Sequence, residues 1–142
     1  MPSFLNRTVL FVTVALVAML LVGCEKWASL VPAHDTPAAD YVEGGGVQIA
    51  EGESIRVLQY ETHSGFETQG FQCSGDSDSL TPSDPSVIEV HYDGRNRSVS
   101  VNGYDTVAMV YVITGLRAGE VILNGSCSDL PTSMAVRVAP RP

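Results

Sequence analysis

From Val47 onward, apolar and polar side chains alternate with a period of two, the pattern of half-buried strands. Ser54 to Tyr60 (SIRVLQY) sets Ile55 and Val57 on one face and Arg56 on the other. Gly70 to Ser74 (GFQCS) pairs Phe71 with Cys73. Val87 to Tyr92 (VIEVHY) sends Ile88, Val90 and Tyr92 one way and Glu89 and His91 the other. Ser98 to Val101 repeats the pattern with Val99 and Val101. Thr106 to Thr114 (TVAMVYVIT) is apolar on both faces, which predicts a central strand. Val121 to Asn124 follows a turn at Gly119, and Ser133 to Ala139 alternates Met134, Val136 and Val138 against Arg137. About seven strands without a long amphipathic helix predict an all-β protein, an antiparallel sandwich or small barrel.

The punctuation between these runs predicts their connections. Asp93-Gly94 and Asn102-Gly103 are hairpin signals, and Asn124-Gly125 offers a third site for positive φ. Gly75 to Ser86 (GDSDSLTPSDPS) is polar and carries Pro82 and Pro85, so the expectation is a loop without a strand. Residues 25–46 keep no period and contain Gly44-Gly45-Gly46, which predicts a flexible tether.

The N-terminus is organised differently. Arg7 precedes fifteen uncharged residues, Thr8 to Val22 (TVLFVTVALVAMLLV), and Glu25 and Lys26 close the run. A spanning helix needs about 20 apolar residues. A positive start and a short apolar stretch are the features of a cleaved signal peptide. A tilted membrane anchor is the plainer alternative. The ending, Leu21-Val22-Gly23-Cys24, resembles the lipobox of bacterial lipoprotein signal peptides. That resemblance implies cleavage between Gly23 and Cys24, a diacylglycerol thioether and a further acyl chain such as palmitate on Cys24, and a protein held to the membrane by lipid. In that family an Asp after the cysteine favours the inner membrane. Glu25 stands there instead, which implies the outer membrane, facing the periplasm.

Composition narrows the partners. With 16 acidic against 8 basic side chains the formal charge is −8, and losing Arg7 makes it more negative. Lys and Arg do not cluster, so nucleic acid is not an expected partner. Residues 24–142 suit one domain. The chain has three cysteines, so with Cys24 lipidated, Cys73 and Cys127 are the only possible pair. In an oxidising compartment the expectation is a Cys73–Cys127 disulfide, and two free thiols are the alternative.

Candidate chemistry is sparse. His34, His63 and His91 have no zinc spacing, and His91 falls on a polar strand face. Asp76-Ser77-Asp78 opens like a calcium loop, but Thr81 stands where a glycine is needed and Val87 where a bidentate Glu is needed. No G-x-S-x-G and no phosphate-cradling glycine loop occur in the sequence. The expectation is therefore no catalytic residue, no metal and no cofactor.

Ser83 to Val90 (SDPSVIEV), Gly115 to Gly125 (GLRAGEVILNG) and Met134 to Pro140 (MAVRVAP) together resemble a bacterial immunoglobulin-like domain of group 2. Gly115, Ala118, Gly119 and Ile122 match its Gly-x-x-Ala-Gly turn into an apolar strand. The same order is similar to the small N-terminal β-domain of pilus-formation and secretin proteins, which opens on a strand like Gly52-Glu53-Ser54. The first resemblance implies an Ig-like sandwich over residues 47–142, after a signal peptide (1–23) and a lipidated cysteine with its tether (24–46). It implies a structural or adaptor role toward an envelope protein. The second implies an accessory of a pilus, secretin or secretion assembly. The acidic charge permits a third role, an inhibitor of a basic hydrolase such as lysozyme.

Overall fold

The computed structural model describes residues 25–33, 35, 40–42, 45–63, 69–71, 73, 79–101 and 103–142. Cys24, Gly23, His34 and Asp76-Ser77-Asp78 lie outside these. The described residues form ten strands: β1 (Lys26–Pro32), β2 (Asp40–Val42), β3 (Gly46–Ala50), β4 (Ser54–His63), β5 (Gln69–Phe71), β6 (Ser79–Pro82), β7 (Ile88–Val101), β8 (Tyr104–Gly115), β9 (Gly119–Cys127) and β10 (Leu130–Ala139). One sheet runs β1-β4-β8-β7, with β5 added to β4; the other runs β2-β3-β10-β9-β6. β3 lies parallel to β10, and the other pairings are antiparallel. The protein is an all-β sandwich. Its first sheet has the A-B-E-D order of immunoglobulin-type sandwiches, and β6, β9 and β10 stand in the C-F-G order.

Both inner faces contribute to one core. Val47 and Ile49 of β3, Ile55 and Val57 of β4, Ile113 of β8, Leu123 of β9 and Val136 of β10 are buried in it. Full burial of such side chains stabilises by about 1.5–3 kcal/mol each. β8 lies between β4 and β7, as its two apolar faces predict. Tyr111 and Ile113 enter the core, while Ala108 and Val110 join Leu58 and Ala33 in a second cluster on the outer face of the first sheet.

Several expectations are corrected. The segment expected as a flexible tether supplies β1, which pairs with β4 from Lys26↔His63 to Pro32↔Val57. It also supplies β2, which pairs with β3. β1 is an edge strand with both faces only partly covered, so its side chains have no need to alternate. Its ladder is main-chain hydrogen bonding, which leaves no periodic trace in the sequence. Pro32 is tolerated as the last residue of an edge strand.

The expected strandless loop at 75–86 contains β6, which pairs with β9 at the sheet edge and ends at Pro82 for the same reason. Asp93-Gly94 does not end a strand. β7 runs on through it, with an irregular register between Tyr92 and Asn96 and Gly94 at φ 68°. A bulge uses the same glycine conformation as a turn. β7 and β8 do meet in a hairpin at Gly103, with Val101 opposite Tyr104 and Gly103 at φ 85°; Asn102 lies outside the described residues. The third turn falls at Ser128 and Asp129, φ 50° and 63°, and not at Asn124-Gly125. Gly125 sits inside β9, where a Cβ would run into Leu80 of β6 and lie 2.6 Å from the Thr132 hydroxyl.

Candidate functional site

β4 is the rail on which the polar chemistry is mounted. Its inward positions continue past Ile55 and Val57 to Gln59, Glu61 and His63, so the interior turns from apolar to polar at one end of the sandwich. Gln59 is 0% exposed. Its Nε2 donates to the Ser126 carbonyl at 2.7 Å, and its Oε1 accepts from the Thr132 hydroxyl at 3.1 Å. Both partners belong to the opposite sheet, and the bonds satisfy groups whose unpaired burial is costly.

Glu61 is 5% exposed. Its carboxylate is hydrogen-bonded by His63 and by the Ser128 hydroxyl, and Lys26 Nζ lies 3.9 Å away. Burial pushes the Glu61 carboxyl up. The hydrogen bonds from Ser128 and His63 and the charges of His63 and Lys26 outweigh it and hold the group below the ordinary glutamate value. Beside this cluster Cys73 and Cys127 are joined by a disulfide, with Cα atoms 4.9 Å apart. Lys26 comes from β1, His63 from the end of β4 and Ser128 from the β9–β10 turn. The cluster therefore binds three elements to one end of the molecule.

Its chemistry is that of a clamp. A serine nucleophile needs its hydroxyl directed at a histidine base. Here the Ser128 hydroxyl bonds Glu61, the same carboxylate that His63 holds. Among the described residues, no three His, Cys, Asp or Glu side chains gather as a metal group. His91 is exposed on β7, the polar face expected of it. The sequence pattern carries the strand only to Tyr60, which leaves Glu61 outside it and gives Gln59, within it, no assigned face. The period of two in fact continues through Gln59, Glu61 and His63 with polar residues at inward positions, and that was the available signal.

Two concave surfaces lie among the described residues. A groove of about 340 Å³ lies on the outer face of the first sheet, over Val31, Leu58, Tyr60 and Val99. Arg97 borders it and is tied to Asp35 at 2.7 Å. A second groove, about 560 Å³, opens between the edge strands β6 and β7. Leu80, Pro82, Pro85, Val90 and Leu116 line it, and Leu116 is 49% exposed. β7 ends its sheet, and its outer edge has no ladder partner among the described residues.

Compared with known protein families, curated proteins and solved structures, the chain matches none.

Proposed function

We propose that this chain is a bacterial envelope lipoprotein, acylated at Cys24, whose sandwich acts as a non-catalytic adaptor for an envelope protein. The observation that carries the reading is Leu21-Val22-Gly23-Cys24 at the end of a short uncharged run. β1 starts at Lys26, two residues after the proposed cleavage point, so a chain cut there keeps the whole of that strand. The disulfide suits an exported domain. Outer-membrane placement rests on Glu25 in place of Asp.

The adaptor surface is the β6–β7 groove with the free edge of β7. Main-chain groups on an exposed edge can accept a partner's strand, and the apolar groove beside them supplies pockets for its side chains. Growing cells with an alkyne fatty acid tests the anchor. The wild-type chain takes up label and fractionates with membranes, and Cys24→Ala does neither. Equal labelling of the two would remove the reading.

A further inference from the structure

Only Glu25 separates Cys24 from the start of β1. At 3.3–3.6 Å per extended residue, Trp27 is within about 11 Å of the Cys24 Cα. Trp27 is the chain's only tryptophan, and it is 41% exposed near the start of β1, opposite Thr62 of β4. Large indole rings favour the headgroup layer, which extends roughly 5–8 Å beyond the hydrocarbon on each side. A leash this short cannot lift the domain clear of a bilayer that holds the acyl chains of Cys24.

We infer that the end of the sandwich bearing Lys26 and Trp27 rests in the lipid headgroup layer, with the molecule standing upright on it. This rests on the acylation of Cys24 proposed above. The partner is a lipid surface of zwitterionic character, because among the described residues Glu25 and Asp129 are exposed at this end, and the exposed Lys26 beside them already faces the Glu61 carboxylate. Strongly anionic lipid repels such an end.

The fold fixes what faces outward. β4 starts at Ser54 and ends at His63, about 30 Å along for ten residues. At the far end Gly52 N donates to the Gly115 carbonyl, Glu51 N to Ala139 and Leu116 N to Val87. Leu116 and Pro85 thus lie at the end away from the membrane, and the β6–β7 groove opens into the periplasmic space.

The test uses the lipidated full-length product reconstituted in phosphatidylcholine vesicles with a nitroxide on part of the headgroups. Intact mass first establishes whether Cys24 is acylated. In the acylated protein, Trp27 emission shifts to the blue, loses most of its intensity to the nitroxide, and becomes shielded from acrylamide. Adding phosphatidylglycerol at low salt reverses part of the quenching. A variant with a ten-residue Gly-Ser insert between Cys24 and Glu25 recovers the emission of the soluble domain. An acylated protein whose Trp27 stays unquenched and open to acrylamide would overturn this inference and leave the anchor standing. Undiminished quenching in the insert variant would also overturn it, since the short leash would then not be what holds the end down. A mass without acyl chains overturns the anchor itself.

Discussion

Gln59 of β4 and Thr132 of β10 meet across the sandwich in a buried hydrogen bond of 3.1 Å. The same Gln59 amide holds the Ser126 carbonyl at 2.7 Å. Two sheets packed on a shared apolar core are tied together here by one buried polar side chain.

Gln59→Ala leaves a cavity and strips partners from both groups. Each buried polar group left unpaired costs about 1–3 kcal/mol, and the cavity adds to it. We expect a loss of about 3 kcal/mol in denaturant unfolding. Thr132→Val added to Gln59→Ala should cost less than the two single changes summed, because both remove the same bond. Full additivity would mean that the bond is not formed.

The disulfide closes a sequence separation of 54 residues. In the chain-entropy model such a loop is worth about 4 kcal/mol. Cys73→Ser and Cys127→Ser should each lower stability by about that amount, and reductant should do the same to the wild type. Equal unfolding midpoints with and without reductant would contradict the cross-link.

Glu61 carries the pH dependence. Its carboxyl is held below the ordinary value in the folded protein, so the unfolded chain binds its proton first as pH falls. The stability this supplies is complete above the ordinary glutamate range. It is lost as pH falls through the lowered folded value. Glu61→Gln keeps the shape but loses the charge. The melting-temperature gap between wild type and Glu61→Gln should be widest near neutrality and narrow below about pH 4. A gap independent of pH would show that the ion pairs contribute nothing.

Much of this fold was legible, and the failures have physical causes. The buried alternation in Ser54–His63 and Leu130–Ala139 is strong because each strand packs one face on the core. The central place of β8 was written in its two apolar faces. β1 and β6 were not legible, because an edge strand is specified by its neighbour's hydrogen bonds more than by its own side chains. Asp93-Gly94 misled because a bulge and a hairpin use the same backbone conformation. At the polar end, Cys73 and Cys127 were paired by parity alone, whereas the Gln59–Thr132 and Glu61–Ser128 contacts join residues distant in sequence that only the folded sheets bring together.

The strand at Lys26–Pro32 is open to a direct check. In the folded protein the ladder-bonded amides between Ala28 and Val31 should exchange hydrogen slowly, on the scale of their β4 partners Gln59 and Glu61. Exchange at the rate of an unstructured peptide across 26–32 would restore the flexible tether and detach the domain from its anchor point.

The most direct measurement is the mass of the N-terminal peptide of the protein recovered from bacterial membranes. The expected peptide begins at Cys24 and carries a diacylglycerol thioether and an amide-linked acyl chain. A peptide beginning at Met1, or one with a free Cys24 thiol, would contradict the anchor and with it the upright placement of the domain.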